Sequence, residues 1–274
     1  MRGRANRYTY KAVADRLREI LDAVARGEIS PDAAAESLAR GEVRYLGEFA
    51  ALDLGRQKRK GIPEVVYAPG KTPEQVSAAC LAIVENGQRA VISGFTPEQR
   101  AAISEVLPGV AVGEAGRALV VGPGEPSLTG GRLAIMTAGT SDVPVAEEAG
   151  AVAREMGCAV ETFYDVGVAG IHRLAVPLEV IKSFDPDCLV VVAGMEGALP
   201  SVVAGLVDVP VVGLPTSTGY GLGGDGTAAI LGMLQTCSPG LAVVNVDNGV
   251  GAGAMAGLIA NRAASGRRRE QRSG

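Results

Sequence analysis

The sequence predicts an α/β protein in two parts: an N-terminal helical arm with a small α/β domain, then a doubly wound parallel sheet. Three observations predict it. Short β-branched blocks such as Leu189 to Val192 break abruptly into knots of small and polar residues, as buried parallel strands do where they end in loops. These blocks alternate with stretches of helical spacing, the pattern that builds a parallel sheet covered on both faces. The chain has 274 residues, 47% apolar and 20% charged, which is enough apolar surface for two cores.

The elements follow in order. Val13, Leu17, Ile20, Leu21 and Val24 keep helical spacing, with Gly27 as a stop. Ser30-Pro31-Asp32 starts a second helix, serine as cap and proline in the first turn, ending at Gly41. Asp53, Arg56, Lys58, Arg59 and Lys60 crowd the segment before a strand from Glu64 to Tyr67. Two readings of this cluster stand, a solvated helix face and a phosphate or nucleotide contact, since it runs towards the Gly70-Lys71-Thr72 turn. Thr72-Pro73 caps a helix to Asn86-Gly87, Ala90 to Ile92 is a strand, Thr96-Pro97 opens a helix, and Leu119 to Val121 is a further strand. Gly122 to Ser127 (GPGEPS) reads as a linker, dividing the chain into domains at 1–125 and 126–274.

The second domain opens with the strand Leu133 to Thr137, which breaks into Ala138-Gly139-Thr140-Ser141-Asp142 before a helix from Val143 to Met156. Strand, glycine turn, hydroxyls and helix start make an anion site, although Ser141 or Asp142 can equally cap the helix. Further strands are Ala159 to Phe163, Leu189 to Val192, Val209 to Val212 and Leu241 to Val244. Helices Leu178 to Ser183, Leu199 to Leu206, Thr227 to Gln235 and Gly251 to Arg262 fill the intervals. Ligands of open α/β sheets bind outside the carboxyl ends of the strands, so the knots after these strands are where chemistry belongs.

Charge and cysteine usage exclude several classes. A net charge of -4 gives no broad footprint for nucleic acid, and Arg267-Arg268-Arg269 reads as a solvated tail. Four cysteines without CxxC spacing and a single histidine exclude a zinc site and fit a reducing cytoplasm. The start lacks the apolar core of a signal peptide. Cys188 to Val207 is apolar enough to suggest a membrane span, but Glu196 and Pro200 interrupt it, which predicts strand, loop and short helix.

Within the knots, His172 is the only imidazole and is followed by Arg173, a residue suited to phosphate or carboxylate. Glu196 lies between apolar flanks, which predicts a desolvated carboxylate poised to accept a proton. Cys80 and Cys188 sit in apolar blocks and Cys158 at a helix end, whereas Cys237 precedes Ser238-Pro239-Gly240, where it can be exposed. A helix C-terminus disfavours a thiolate, so Cys237 needs a base, for which Glu196 is the candidate. Cys237 precedes its strand and so lies on the edge opposite the carboxyl ends, which predicts a site shared between chains.

Ala138 to Asp142 (AGTSD), His172-Arg173, and Ala193 to Gly205 followed by Val209 to Ser217 (VPVVGLPTS) together resemble the aminoimidazole ribonucleotide (AIR) carboxylase and mutase family. Phe49 to Thr72, Pro215 to Gly221 and Leu234 to Gly253 are similar to the LarB family, the carboxylases of nickel-pincer nucleotide cofactor biosynthesis; that resemblance runs from Arg44 to Ala260. It implies a flavodoxin-like sheet of the AIR carboxylase type and a homo-oligomer, an octamer as in the purine enzymes. It also implies nicotinic acid adenine dinucleotide and carbon dioxide as substrates, and AMP and pyridinium-3,5-biscarboxylic acid mononucleotide as products. Magnesium (Mg2+) would support the hydrolytic half, with Asp142, Asp225 and Asp247 all open as ligands. The expected catalytic residues are Cys237, Glu196, His172 and Asp142, with the last two alternatives for removing the ring proton. The expected substrate-binding residues are Gly139, Ser141, Arg173, Gly194, Thr216 and Ser217. A purine-type carboxylase or mutase, which needs no thiol, and a non-catalytic nucleotide-binding module are the competing readings.

Overall fold

The computed structural model describes residues 17–39 and 43–273; Val13 and Gly41 lie outside them. Residues 17–25 are helical (α1), and α2 (Pro31–Ala39) begins where the Ser30 hydroxyl accepts the Ala33 amide. A hairpin of β1 (Val43–Leu46) and β2 (Ala50–Asp53) leads into the short helix α3 (Arg56–Lys60). Here the two arginines of the basic cluster are taken up internally, Arg59 pairing with Asp53 at 2.5 Å and Arg56 with Glu64 at 3.0 Å, while Lys58 and Lys60 are exposed.

The first sheet has the order β3-β4-β6-β5, from β3 (Val65–Tyr67), β4 (Ala90–Ser93), β5 (Val112–Ala115) and β6 (Ala118–Val121). Strands β3 and β4 are parallel, joined by α4 (Pro73–Glu85); β5 and β6 are antiparallel, reached through α5 (Pro97–Val106). Thr72 and Thr96 each close a capping box, with Gln75 and Gln99, which fixes where the helices start. Strand β5 is not predicted from its sequence, because Val-Gly-Glu-Ala offers no apolar alternation.

The second sheet is five-stranded and all parallel, in the order β11-β10-β9-β7-β8. Its strands are β7 (Arg132–Thr137), β8 (Ala159–Phe163), β9 (Cys188–Ala193), β10 (Val211–Pro215) and β11 (Leu241–Val243). Counted within this sheet the order is 2-1-3-4-5, that of flavodoxin-like folds, with the switch point beside β7. Helices α6 (Val143–Glu155), α7 (Ala175–Phe184), α8 (Ala198–Ala204), α9 (Thr227–Leu234) and α10 (Gly249–Ser273) cover both faces. Ala252, Ala256, Ala260 and Ala264 form a buried stripe along α10, so that its backbone approaches α6 closely; a Cβ on Gly253 would lie 2.3 Å from the Ala149 carbonyl. No helix among the described residues is long and apolar enough to cross a membrane.

Helix α6 is buried on two sides, against its own sheet and against the first one. Val91 and Ala118 of the first sheet pack on Ala151, Val152 and Met156 of α6. Beside this apolar seam, Arg89 pairs with Glu155 at 2.8 Å and Ser93 donates to Glu148 at 2.6 Å.

The basic end of the chain departs from the expected solvated tail. It continues α10, and Arg267 pairs with the buried Asp187 and donates to the Gly130 carbonyl at 2.9 Å, while Arg268 donates to the Thr129 carbonyl. Asp187 supplies the reason: burial pushes its carboxyl up, but the bonds from Arg267 and the Arg132 amide outweigh that and hold it below its ordinary value. A buried carboxylate ahead of β9 needs a cation, and the tail provides it.

Candidate active site

At the carboxyl ends of β7, β9 and β10 the chain forms a cavity of about 230 Å³. Strand β7 breaks at Ala138-Gly139 into a single 3-10 turn, Thr140–Asp142, before α6 begins. The Asp142 carboxylate is 3% exposed. Its Oδ2 accepts the Gly139 amide at 2.9 Å and its Oδ1 accepts the Thr216 hydroxyl at 2.7 Å. The side chain therefore closes its own turn and reaches across to β10; it makes no capping bond to α6. Burial pushes the Asp142 carboxyl above its ordinary range, and the bonds from Thr216 and Gly139 oppose that only in part. A buried carboxylate with a raised pKa lining a cleft is a candidate for proton transfer.

Strand β9 is followed by Gly194, where any side chain is excluded: a Cβ would lie 2.2 Å from the Thr218 carbonyl, which also accepts the Met195 amide at 2.8 Å. The loop turns through left-handed φ at Met195 (52°) and Gly197 (66°), and this aims Glu196 outward. Glu196 is consequently exposed on the cavity rim and not desolvated as its apolar flanks predict. The buried acid of the site is Asp142.

Arg173 enters from the loop after β8. Its guanidinium donates to the Asp165 carbonyl at 2.8 Å and to Gly167 at 3.2 Å and pairs with the Asp165 carboxylate at 3.1 Å, which fastens it to its loop while it lines the cavity. The adjacent His172 is exposed and does not line it.

The structure thus gathers Gly139, Ser141, Asp142, Arg173, Gly194 and Glu196 around one cavity. Thr216 lies one layer behind, fully buried against Asp142, and Ser217 is exposed with its amide donating to Asp247 Oδ1 at 3.0 Å. Cys237 lies elsewhere, between α9 and β11 at the amino ends of the strands, where its neighbour Ser238 bonds the Ser201 carbonyl of α8 at 2.8 Å. It is the one exposed cysteine of the four. Burial pushes the thiols of Cys80 and Cys188 up to about 12 and that of Cys158 up to about 11, so none of the three is a usable nucleophile.

A second cavity of about 530 Å³ opens beside the first, between the two sheets, lined by Tyr67, Gly94, Arg117, Asp247 and Asn248. Arg117, in the turn between β5 and β6, donates to the Asp247 carbonyl at 2.9 Å and approaches Glu148 at 3.4 Å. No local pattern marks Arg117 in the sequence, because its partners are 31 and 130 positions away. A cavity of about 610 Å³ at the opposite edge, around Leu178, Lys182 and Leu206, is larger. It is remote from the strand carboxyl ends and has no buried carboxylate facing it, so the chemistry is assigned to the smaller cleft.

The acidic side chains do not by themselves fit a magnesium ion. Among the described residues no three His, Cys, Asp or Glu side chains cluster for a metal, both Asp142 oxygens already accept protein hydrogen bonds, and Asp225 is exposed on its own loop. No step is assigned to the metal.

Comparison with known proteins agrees with this geometry. Residues 43–123 match the LarB/PurE-like N-terminal domain and residues 132–273 match AIR carboxylase. An uncharacterized protein of Methanocaldococcus jannaschii is 42% identical over 252 residues, covering 89% of this chain and 96% of that one. The N5-carboxyaminoimidazole ribonucleotide mutase of the same organism is 33% identical over 127 residues, covering 45% of this chain and 75% of the mutase.

Proposed function

Because this chain belongs to the LarB family, with an AIR carboxylase domain behind a LarB-type N-terminal domain, and is therefore an enzyme of the carboxylase or mutase type, we propose that it carboxylates the pyridinium ring of nicotinic acid adenine dinucleotide. Hydrolysis of the phosphoanhydride then releases AMP and pyridinium-3,5-biscarboxylic acid mononucleotide. The observation that carries the reading is the joining of those two domains in one chain, with a cleft at the carboxyl edge of the parallel sheet.

A pyridinium ring is electron-poor and cannot attack carbon dioxide. A thiolate added at C4 makes it a dihydropyridine whose C5 is an enamine carbon. C5 attacks carbon dioxide, the C5 proton leaves to a base, and expulsion of the thiolate restores the aromatic ring. Sulfur both adds and leaves well, which an alkoxide does not. Cys237 is the thiol in this scheme, as the one cysteine not suppressed by burial. Since it lies at the amino edge of its own sheet, the scheme requires a neighbouring copy in a homo-oligomer to bring it to the cleft. Glu196 on the rim is placed to take its proton. Asp142 and His172 remain the two groups for the C5 proton, and Asp142, which lines the cleft where His172 does not, is the better placed. Arg173, Ser141 and the backbone at Gly139 and Gly194 hold the ribose phosphate, with Thr216 supporting Asp142 from behind the wall and Ser217 tied to Asp247 beyond it.

A second reading, a mutase or carboxylase acting on aminoimidazole ribonucleotide, draws on the similarity to three quarters of the archaeal mutase. One experiment separates them. The protein is incubated with nicotinic acid adenine dinucleotide, bicarbonate and magnesium, and separately with aminoimidazole ribonucleotide, and the products are read by mass spectrometry. AMP together with a doubly carboxylated pyridinium mononucleotide supports the first reading. Turnover of the imidazole alone replaces it with the second.

A further inference from the structure

A dinucleotide has two halves, and the cavity at Asp142 has room for one. Its volume of about 230 Å³ is below the roughly 300–1,000 Å³ of pockets that enclose a drug-sized ligand. The neighbouring cavity of about 530 Å³ is tied to it through the turn after β10: Thr218 lines the first cavity, and the Ser217 amide donates at 3.0 Å to Asp247, which lines the second. The Asp247 carbonyl in turn accepts from Arg117 at 2.9 Å.

The second cavity offers what an adenylate group needs. The Tyr67 ring, at the carboxyl end of β3, is 62% exposed and presents a flat apolar face on which a purine can stack. Arg117 lines this cavity, and its side chain is 35% exposed, so its guanidinium offers a cation to a phosphate entering there. Gly94, which follows β4 with φ +70°, packs against Pro69, and both line the cavity. Tyr67, Gly94 and Arg117 all lie in the segment matching the LarB/PurE-like N-terminal domain, outside the AIR carboxylase match. The added domain and the added half of the substrate therefore coincide.

We propose that the cleft between the domains is the adenylate subsite, with Tyr67 stacked on the purine and Arg117 facing the phosphoanhydride. The assignment rests on the dinucleotide reading given above. The test is calorimetry on the full chain with AMP, nicotinic acid mononucleotide and nicotinic acid adenine dinucleotide as separate titrants, for the wild type and for Tyr67→Ala. Tyr67 is exposed, so its replacement leaves the fold intact. The expected result is that Tyr67→Ala binds AMP and the dinucleotide about tenfold more weakly while its affinity for the mononucleotide is unchanged. AMP and the mononucleotide are also expected to bind the wild type together, without displacing one another. Wild-type affinity of Tyr67→Ala for AMP, or displacement of the mononucleotide by AMP, overturns the subsite but leaves the dinucleotide reading standing. A wild type that binds neither AMP nor the dinucleotide overturns both.

Discussion

Ser93 Oγ donates a 2.6 Å hydrogen bond to Glu148 Oε1, joining the end of a first-sheet strand to the helix that follows the candidate acid Asp142. Both side chains are buried, Glu148 to 1% exposure. Replacing Ser93 with Ala removes a donor from a buried carboxylate and leaves Arg117, at 3.4 Å, as its remaining side-chain partner. The unfolding free energy should fall by about 1–3 kcal/mol, read from denaturant titration.

The same carboxylate sets a pH dependence. Burial pushes the Glu148 carboxyl above its ordinary range, against the opposing pull of Ser93 and Arg117. A group raised in the folded state contributes stability that is fully present below its unfolded pKa and is lost as pH rises through its folded pKa. Relative to Glu148→Gln, the wild type should therefore lose stability as pH climbs out of the ordinary carboxylate range, and then level off. Unfolding midpoints of both proteins across that range check the sign; parallel curves would contradict it.

Thr216→Val deletes the hydroxyl that donates to Asp142. That bond favours the ionised carboxylate, so its loss moves the Asp142 pKa further up. If Asp142 takes the ring proton, the acidic limb of the pH–rate profile moves to higher pH and kcat falls about tenfold to a hundredfold. An unmoved limb would assign the proton transfer to another group.

Cys237→Ser should abolish carboxylation and leave dinucleotide binding measurable, since the thiol lies outside the cleft of its own chain. Mixing inactive Cys237→Ser chains with inactive Asp142→Asn chains, followed by subunit exchange, should restore part of the activity. No recovery after demonstrated exchange would place both groups in one chain's site.

Gly194→Ala puts a methyl 2.2 Å from the Thr218 carbonyl, which belongs to the wall of the cleft. Backbone cannot yield as a flexible side chain does, so a loss of about 1–3 kcal/mol is expected together with reduced substrate affinity. Thermal unfolding and calorimetry measure the two effects.

The parallel sheet was readable because each β-branched block stops at a glycine or small-residue knot; Ala159 to Phe163 has the expected limits, and Val211–Pro215 is shifted by two or three residues from Val209 to Val212. The cleft was readable for the same reason, since Gly139, Asp142 and Gly194 all follow strand ends. Glu196 misled because its neighbours in sequence are apolar, whereas its exposure is decided by the left-handed turn at Met195. Arg117 was invisible because its meaning lies in Glu148 and Asp247, which the fold alone brings near. The tail misled similarly: Arg267 looks solvated until Asp187 is seen buried opposite it.

Helix α10 begins at Gly249, where a Cβ would lie 2.5 Å from a Glu148 carboxylate oxygen, and ends past Arg267, clasped to Asp187 ahead of β9. Its 25 residues span about 37 Å at 1.5 Å per residue. A fluorophore or affinity handle fused behind it would stand at the amino edge of the sheet, opposite the Asp142 cleft and on the same edge as Cys237. Trimming the chain before Arg267, by contrast, would cut the mooring line of the rod on which the junction of the two domains rests.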